Sequence, residues 1–177
     1  MKYMQTGGFS SNSFMRLTLA LTLVLLTAFT VSNFVLYFQR MDLSPSSIVS
    51  YYNGNEDEFR PARSPQSMME VTHGHLATMA LVMLLLTHLA IFLPYSKPAK
   101  TFLIVSAFAS ALFSEGSGWL VRFVDPEFAW LKVVSFIALQ TSLIVLLSSL
   151  GLFLWKAGKE FGSEMDSRDN VEHSDIT

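Results

Sequence analysis

Cysteine is absent from the 177 residues, and charge is scarce, with Lys, Arg, Asp and Glu at 15% of the chain. The first absence excludes a disulfide scaffold and a thiolate metal site. The second excludes an ordinary soluble surface, which carries roughly 25% charged residues. A net charge of −2 leaves no basic footprint for nucleic acid. What the chain has instead is hydrocarbon. Hydrophobic residues make up 51%, among them fifteen phenylalanines, so a disordered chain is excluded as well.

The apolar residues fall into four runs at about 17–38, 71–93, 101–121 and 129–155. Each is near the ~20 residues that a helix needs to cross a bilayer. The expected fold is therefore all-α, a four-helix bundle integral to the membrane, with lipid as its solvent. The longest connection, 39–70, has 32 residues, below the roughly 40 that hold a core unaided. One membrane domain, 17–155, is expected. A short N-terminal segment, 1–16, precedes it, and an acidic, disordered tail, 156–177, follows.

The first run could be read as a cleaved signal peptide, since Lys2 and Arg16 precede it. Its length exceeds the 7–15 residues of a signal's apolar region, and a retained span is the preferred reading. Orientation follows Lys and Arg. Lys2, Arg16, Lys97, Lys100, Lys156, Lys159 and Arg168 fall on one side; Arg40, Arg60, Arg63, Arg122 and Lys132 fall on the other. The tight Tyr95–Lys100 turn carries two of the first set. Both termini are therefore expected in the cytoplasm, with Trp119 and Trp130 at the outer interface and Trp155 at the inner one.

The third run carries Ser106, Ser110, Ser114 and Gly118 at every fourth position, with Ala107 and Ala111 beside them. Small residues at this spacing let helices approach closely in lipid. This run is expected to be the most buried. In the long outer connection, Asn53-Gly54-Asn55 and Arg60-Pro61 through Pro65 mark turns. The acidic run 56–58 reads as solvated. Tyr51 and Tyr52 suggest that part of the connection lies back on the bundle as a lid.

Ionisable residues within spans are functional leads, because placing one there costs on the order of 2.5–3.5 kcal/mol at the centre. His73, His75 and His88 all lie on the second run, and Glu115 lies inside the third. At 1.5 Å per residue, His73 and His75 sit roughly 3–6 Å below the outer boundary and Glu115 about 9 Å below it. The two helices are joined by a short turn, so the histidines and Glu115 are expected to share a depth. Glu70 precedes His73 by three residues, on the same face.

Glu70, His73, His75 and Glu115 thus form a candidate cluster. It could bind a transition-metal ion, handle protons, or pair structurally. A complete di-metal site would need a second Glu-x-x-His motif and two further carboxylates. His73 and His75 are about 200° apart on an ideal helix, which argues against one shared site. His88 lies deeper, about 60° from His73. The pair invites a haem b reading with His88 as a ligand, but no other run offers a histidine. Haem would need a second copy or a partner subunit. His75, Met79 and Met83 form a row that could pass copper, although such rows more often pack.

The stretches Tyr51-Tyr52-x-Gly54-x-Glu56, Glu70-Val71-Thr72-His73-Gly74-His75-Leu76 and Thr87-His88-Leu89 resemble an uncharacterised bacterial family of small four-span membrane proteins. The resemblance covers most of residues 15–155. It implies the fold and a bacterial inner-membrane location, and supplies no activity. The function expected from the residues is a non-enzymatic accessory or sensing subunit, working beside other membrane subunits or a second copy.

Overall fold

The computed structural model describes residues 12–174. Among these described residues, five helices follow in order: α1 Ser13–Arg40, α2 Pro45–Asn53, α3 Pro65–Ala90, α4 Lys97–Phe123 and α5 Ala129–Ser174, with a 3-10 turn Pro126–Phe128 before α5. The fold is the expected all-α membrane bundle. Four of the helices are long and apolar enough to cross a bilayer: Phe14–Arg40, Pro65–Ala90, Lys97–Phe123 and Pro126–Lys156.

Local chemistry explains the helix starts. Ser44 caps α2 by accepting from the Ser47 N–H, and Ser64 caps α3 by accepting from the Ser67 N–H. Each is followed by proline at the first helical position, where the missing N–H costs nothing. The Ser64–Pro65 start lies six residues before the apolar run of α3, so His75 sits ten residues into its helix. Asp42 supports the α1–α2 corner. The hydroxyl and backbone N–H of Ser44 hydrogen-bond its carboxylate and hold it below the usual carboxylate range.

One finding differs from the sequence expectations. The most buried span is α5, not α4: half of its most apolar window is buried, against 39% for α4. The small residues of α4 do pack, with Ala107, Ser110, Ala111, Ser114, Ser117 and Gly118 buried. They line one face only, however, whereas α5 is flanked by α1, α2, α3 and α4. Helix α5 continues to Ser174; no proline interrupts it, and extending an existing helix needs no new nucleus. Residues 175–177, and 1–11 at the other end, lie outside the described residues.

Two apolar clusters hold the bundle. The inner one joins Met83, Leu86 and Leu93 to Leu143, Leu146 and Leu150. The outer one gathers Tyr37 of α1, Met41 just after it, Ile48 of α2, Val121 of α4, and Val133 and Phe136 of α5. Tyr37 stacks on Phe136 with centroids 3.6 Å apart. Helix α2 is thus part of the core, in a region expected from sequence to be a connection with turns whose Tyr51 and Tyr52 lie back on the bundle. Among the described residues, α1 makes substantial contact with α5 alone.

Glycine sets the closest approach. A Cβ on Gly118 would stand 2.6 Å from the Tyr52 hydroxyl and 2.8 Å from Cζ. Gly118→Ala is therefore expected to push α2 off α4 and cost about 1–3 kcal/mol, the usual price of overpacking. Gly74→Ala meets nothing within 4 Å and is expected to stabilise by about 0.8–1 kcal/mol through helix propensity. Thermal or denaturant unfolding of the two variants side by side checks both signs. Gly54 ends α2 at φ 88°, a conformation that favours glycine, with Arg60 O only 2.7 Å from where a Cβ would be.

Candidate functional site

Helices α3 and α4 run antiparallel, and their outer halves meet at Glu115. The Thr72 hydroxyl donates to one carboxylate oxygen at 2.5 Å, and His75 Nδ1 lies 3.0 Å from the other. Thr72 and His75 are three residues apart, which puts both on the face of α3 that looks at α4. The indole N–H of Trp119 donates to the Thr72 oxygen at 2.9 Å, four residues and one turn beyond Glu115 on the same helix. The Glu115 side chain is 13% exposed and the His75 side chain 57%. The carboxylate is thus enclosed while the imidazole that touches it remains accessible.

A cation completes the group. Lys132, near the start of α5, is buried, and its ammonium donates to the backbone carbonyl of Ser114. That places a positive charge within electrostatic reach of Glu115. Above them, Tyr52 closes over Gly118, and burial raises its phenol above the ordinary value of 10.0, with the neighbouring Tyr51 and Glu115 adding to the shift. Arg63 stacks over the Tyr51 ring at 4.4 Å, and Arg40 reaches the Tyr51 hydroxyl at 3.5 Å. Arg122 donates to the Arg63 carbonyl and ties α4 to the segment before α3.

These groups line a cavity of about 450 Å³ bounded by all five helices. Its outer wall is polar. Its deep end is apolar, formed by Met79, Val82, Met83, Leu139 and Leu143, and the inner cluster seals it below. At that level Gln140 is 3% exposed and its side-chain oxygen has no hydrogen-bond partner.

The structure brings together two of the four expected cluster residues, His75 and Glu115, and adds Thr72 and Lys132. Glu70 is exposed and accepts from Gln66 one turn earlier on its own helix at 3.2 Å. His73 is exposed and lies outside the cavity lining. Among the described residues no group of three His, Cys, Asp or Glu side chains gathers around one point. The pair alone offers two side-chain ligands, fewer than the three of a catalytic zinc site. The cause is helix phase: the ~200° between His73 and His75 sends them to opposite faces. His88 is exposed, edge-on to Phe92 at 6.0 Å, and lies outside the cavity lining.

Sequence reading missed Lys132 and Thr72 as members of the site. Lys132 was counted with the outer charges although it lies within the fourth apolar run. Thr72 could have been found, because it shares its α3 face with His75.

A helical bundle with an enclosed polar site between its spans is a multi-pass integral membrane protein. A family model described as a transmembrane helical domain, Aq_1264_TM, matches residues 42–161, and the chain belongs to that family. The match takes in α2, α3, α4 and the membrane part of α5, and begins after α1. Neither a curated protein nor a solved structure matches the chain.

Proposed function

We propose that this protein is a non-enzymatic accessory or sensing subunit of the bacterial inner membrane. Both termini are in the cytoplasm, and a proton is handled at the outer leaflet by Glu115 and His75. The observation that carries the reading is the contact itself: an enclosed intramembrane carboxylate with an accessible imidazole 3.0 Å away. Ionisable groups are expensive inside a membrane and mark proton relays and sensing sites there. Histidine is the side chain whose charge changes near neutral pH. The sealed inner end favours sensing over conduction, since a proton entering from the outer face meets apolar packing beyond Gln140. The two lysines of the short 95–100 turn support the orientation.

The test is the nitrogen-15 NMR spectrum of the His75 ring in the full chain, with His73 and His88 replaced to leave a single membrane reporter. Glu115→Gln should move the Nδ1 resonance, because it removes the carboxylate 3.0 Å from that atom. Superimposable ring spectra with and without Glu115→Gln would end the reading.

A further inference from the structure

Two arginines at the mouth of the cavity have no counter-charge. Arg40 ends α1, and Arg63 lies two residues before α3. Both line the cavity beside Tyr51. Arg63 stacks over the Tyr51 ring at 4.4 Å, and Arg40 reaches its hydroxyl at 3.5 Å. Among the described residues neither guanidinium forms an ion pair; Arg60 pairs with Glu58, and His75 with Glu115. Two like charges beside one ring repel each other, and an anion between them relieves the repulsion.

The donors are held in place and unspent. Stacking occupies the face of the Arg63 guanidinium and leaves the N–H groups around its edge. The Tyr51 hydroxyl accepts from Arg40 and keeps its own O–H to give. The Arg63 backbone is fixed at both ends: its N–H donates to the Tyr52 carbonyl, and its carbonyl accepts from Arg122. Tyr51 is set edge-on against Tyr52 at 5.0 Å, which Gly118 admits. Glu115, the carboxylate of the cavity lining, is already engaged by Thr72 and His75.

Chemistry selects the ligand. Guanidinium groups bind oxyanions, and their planar fork matches phosphate or carboxylate. Depth selects the source. Arg40 is two residues beyond the first apolar run, so roughly 3 Å outside the hydrocarbon. Headgroups occupy about the first 5–7 Å outside it, and phosphate is the oxyanion that every phospholipid carries there. The cavity supplies the rest. Below the arginines its α1 and α3 sides include Phe29, Leu36, Val71, Met79 and Val82. Val71 to Val82 spans roughly 16 Å of helix, about half the hydrocarbon thickness of ~30 Å. Helix α1 has no substantial contact with α3, which leaves that side open to a neighbouring acyl chain. Lys132 and Glu115 belong to the other walls, α5 and α4.

We propose that Arg40, Arg63 and the Tyr51 hydroxyl form a phosphate site, filled by a phospholipid of the outer leaflet whose acyl chain lies in the cavity between α1 and α3. The phosphate oxygens accept from both guanidiniums and from the hydroxyl. Glu115 and His75 take no part, so the site stands apart from the proton-handling contact.

The experiment titrates the full chain in dodecyl maltoside with dioleoylphosphatidylglycerol and counts adducts by native mass spectrometry. One adduct should saturate before others appear. Arg40→Gln with Arg63→Gln should weaken it about tenfold or more, in line with lost hydrogen bonds to a charged group. Both side chains are exposed, so the variant is expected to fold; an unchanged unfolding midpoint without lipid checks this. Arg60→Gln removes a guanidinium already paired with Glu58 and should bind lipid as the wild type does.

Dioleoylglycerol has the chains without the phosphate and should give no saturable adduct. Inorganic phosphate has the oxyanion without the chains, and an excess of it should leave most of the lipid bound. An adduct that ignores the double arginine variant, or that dioleoylglycerol reproduces, overturns the proposal. Equal weakening by Arg60→Gln overturns it too, because that marks attraction by net charge alone. Displacement of the lipid by inorganic phosphate at equal concentration overturns the lipid source and assigns the two arginines to a free phosphate.

Discussion

Glu115→Ala is expected to lower the unfolding free energy by about 1.5–3 kcal/mol, the range for hydrogen bonds to a charged group. The loss has three sources. Lys132, buried at 8% exposure, loses the carboxylate whose charge reaches it. The Thr72 hydroxyl loses its 2.5 Å acceptor and the Trp119–Thr72 link loses its anchor. His75 loses the contact that orients its ring. Glu115→Gln keeps the shape and an acceptor and should lose about half as much.

The decisive variant is the double one. Glu115→Ala with Lys132→Met removes both charges and should recover the part of the loss that comes from leaving Lys132 without a counter-charge, but not the lost Thr72 and His75 contacts. The measurement is the unfolding midpoint in a denaturant series, arranged as a double-mutant cycle. Strict additivity would mean that the two groups do not interact.

The second large effect belongs to Ile48→Ala. Ile48 is fully buried, on a helix of nine residues that lies outside the spans. A helix this short is marginal alone, so its docking depends on that side chain together with Tyr52. Deleting a buried isoleucine costs about 2–5 kcal/mol. Here α2 bears the cost, since it can leave while the four spans remain inserted. Hydrogen exchange should therefore accelerate at residues 45–53 and stay slow in α4 and α5. Uniform acceleration through α5 would mean that α2 and the bundle unfold as one unit.

Much of the architecture was legible because lipid imposes a coarse rule. A span must be long and apolar, and the four runs meet that rule whatever their neighbours are. Depth was legible for the same reason. A rise of 1.5 Å per residue and a short 91–96 turn put Glu115 near the depth of the histidines at the start of the second apolar run. Facing was legible only in part. The ~200° between His73 and His75 warned that one of them must point away. It did not say which, since the rotation of α3 is set by how Met83, Leu86 and Ala90 fill the inner cluster. Thr72 and His75 won the inward face, and Glu70 and His73 were left outside.

Lys132 shows a different limit. A lysine three residues into a span ordinarily snorkels outward along its flexible stem. Its direction here follows from a backbone carbonyl: Ser114, a small buried residue, leaves its oxygen within reach. Nothing local to residue 132 encodes that. Helix α2 was hidden for a similar reason. Its burial needs Gly118, 66 positions away, to admit Tyr52.

The scarcity of charge and the lack of cysteine were enough, by themselves, to determine a membrane bundle and to limit its chemistry to histidine and carboxylate. Composition and span length are additive properties of a chain, and they survive any arrangement of the helices. The tertiary structure alone decided that Glu115 meets Thr72 and His75, that Lys132 turns inward, and that a cavity with an unpartnered Gln140 oxygen lies behind them. Those are properties of helix rotation and packing, set by contacts between residues distant in sequence.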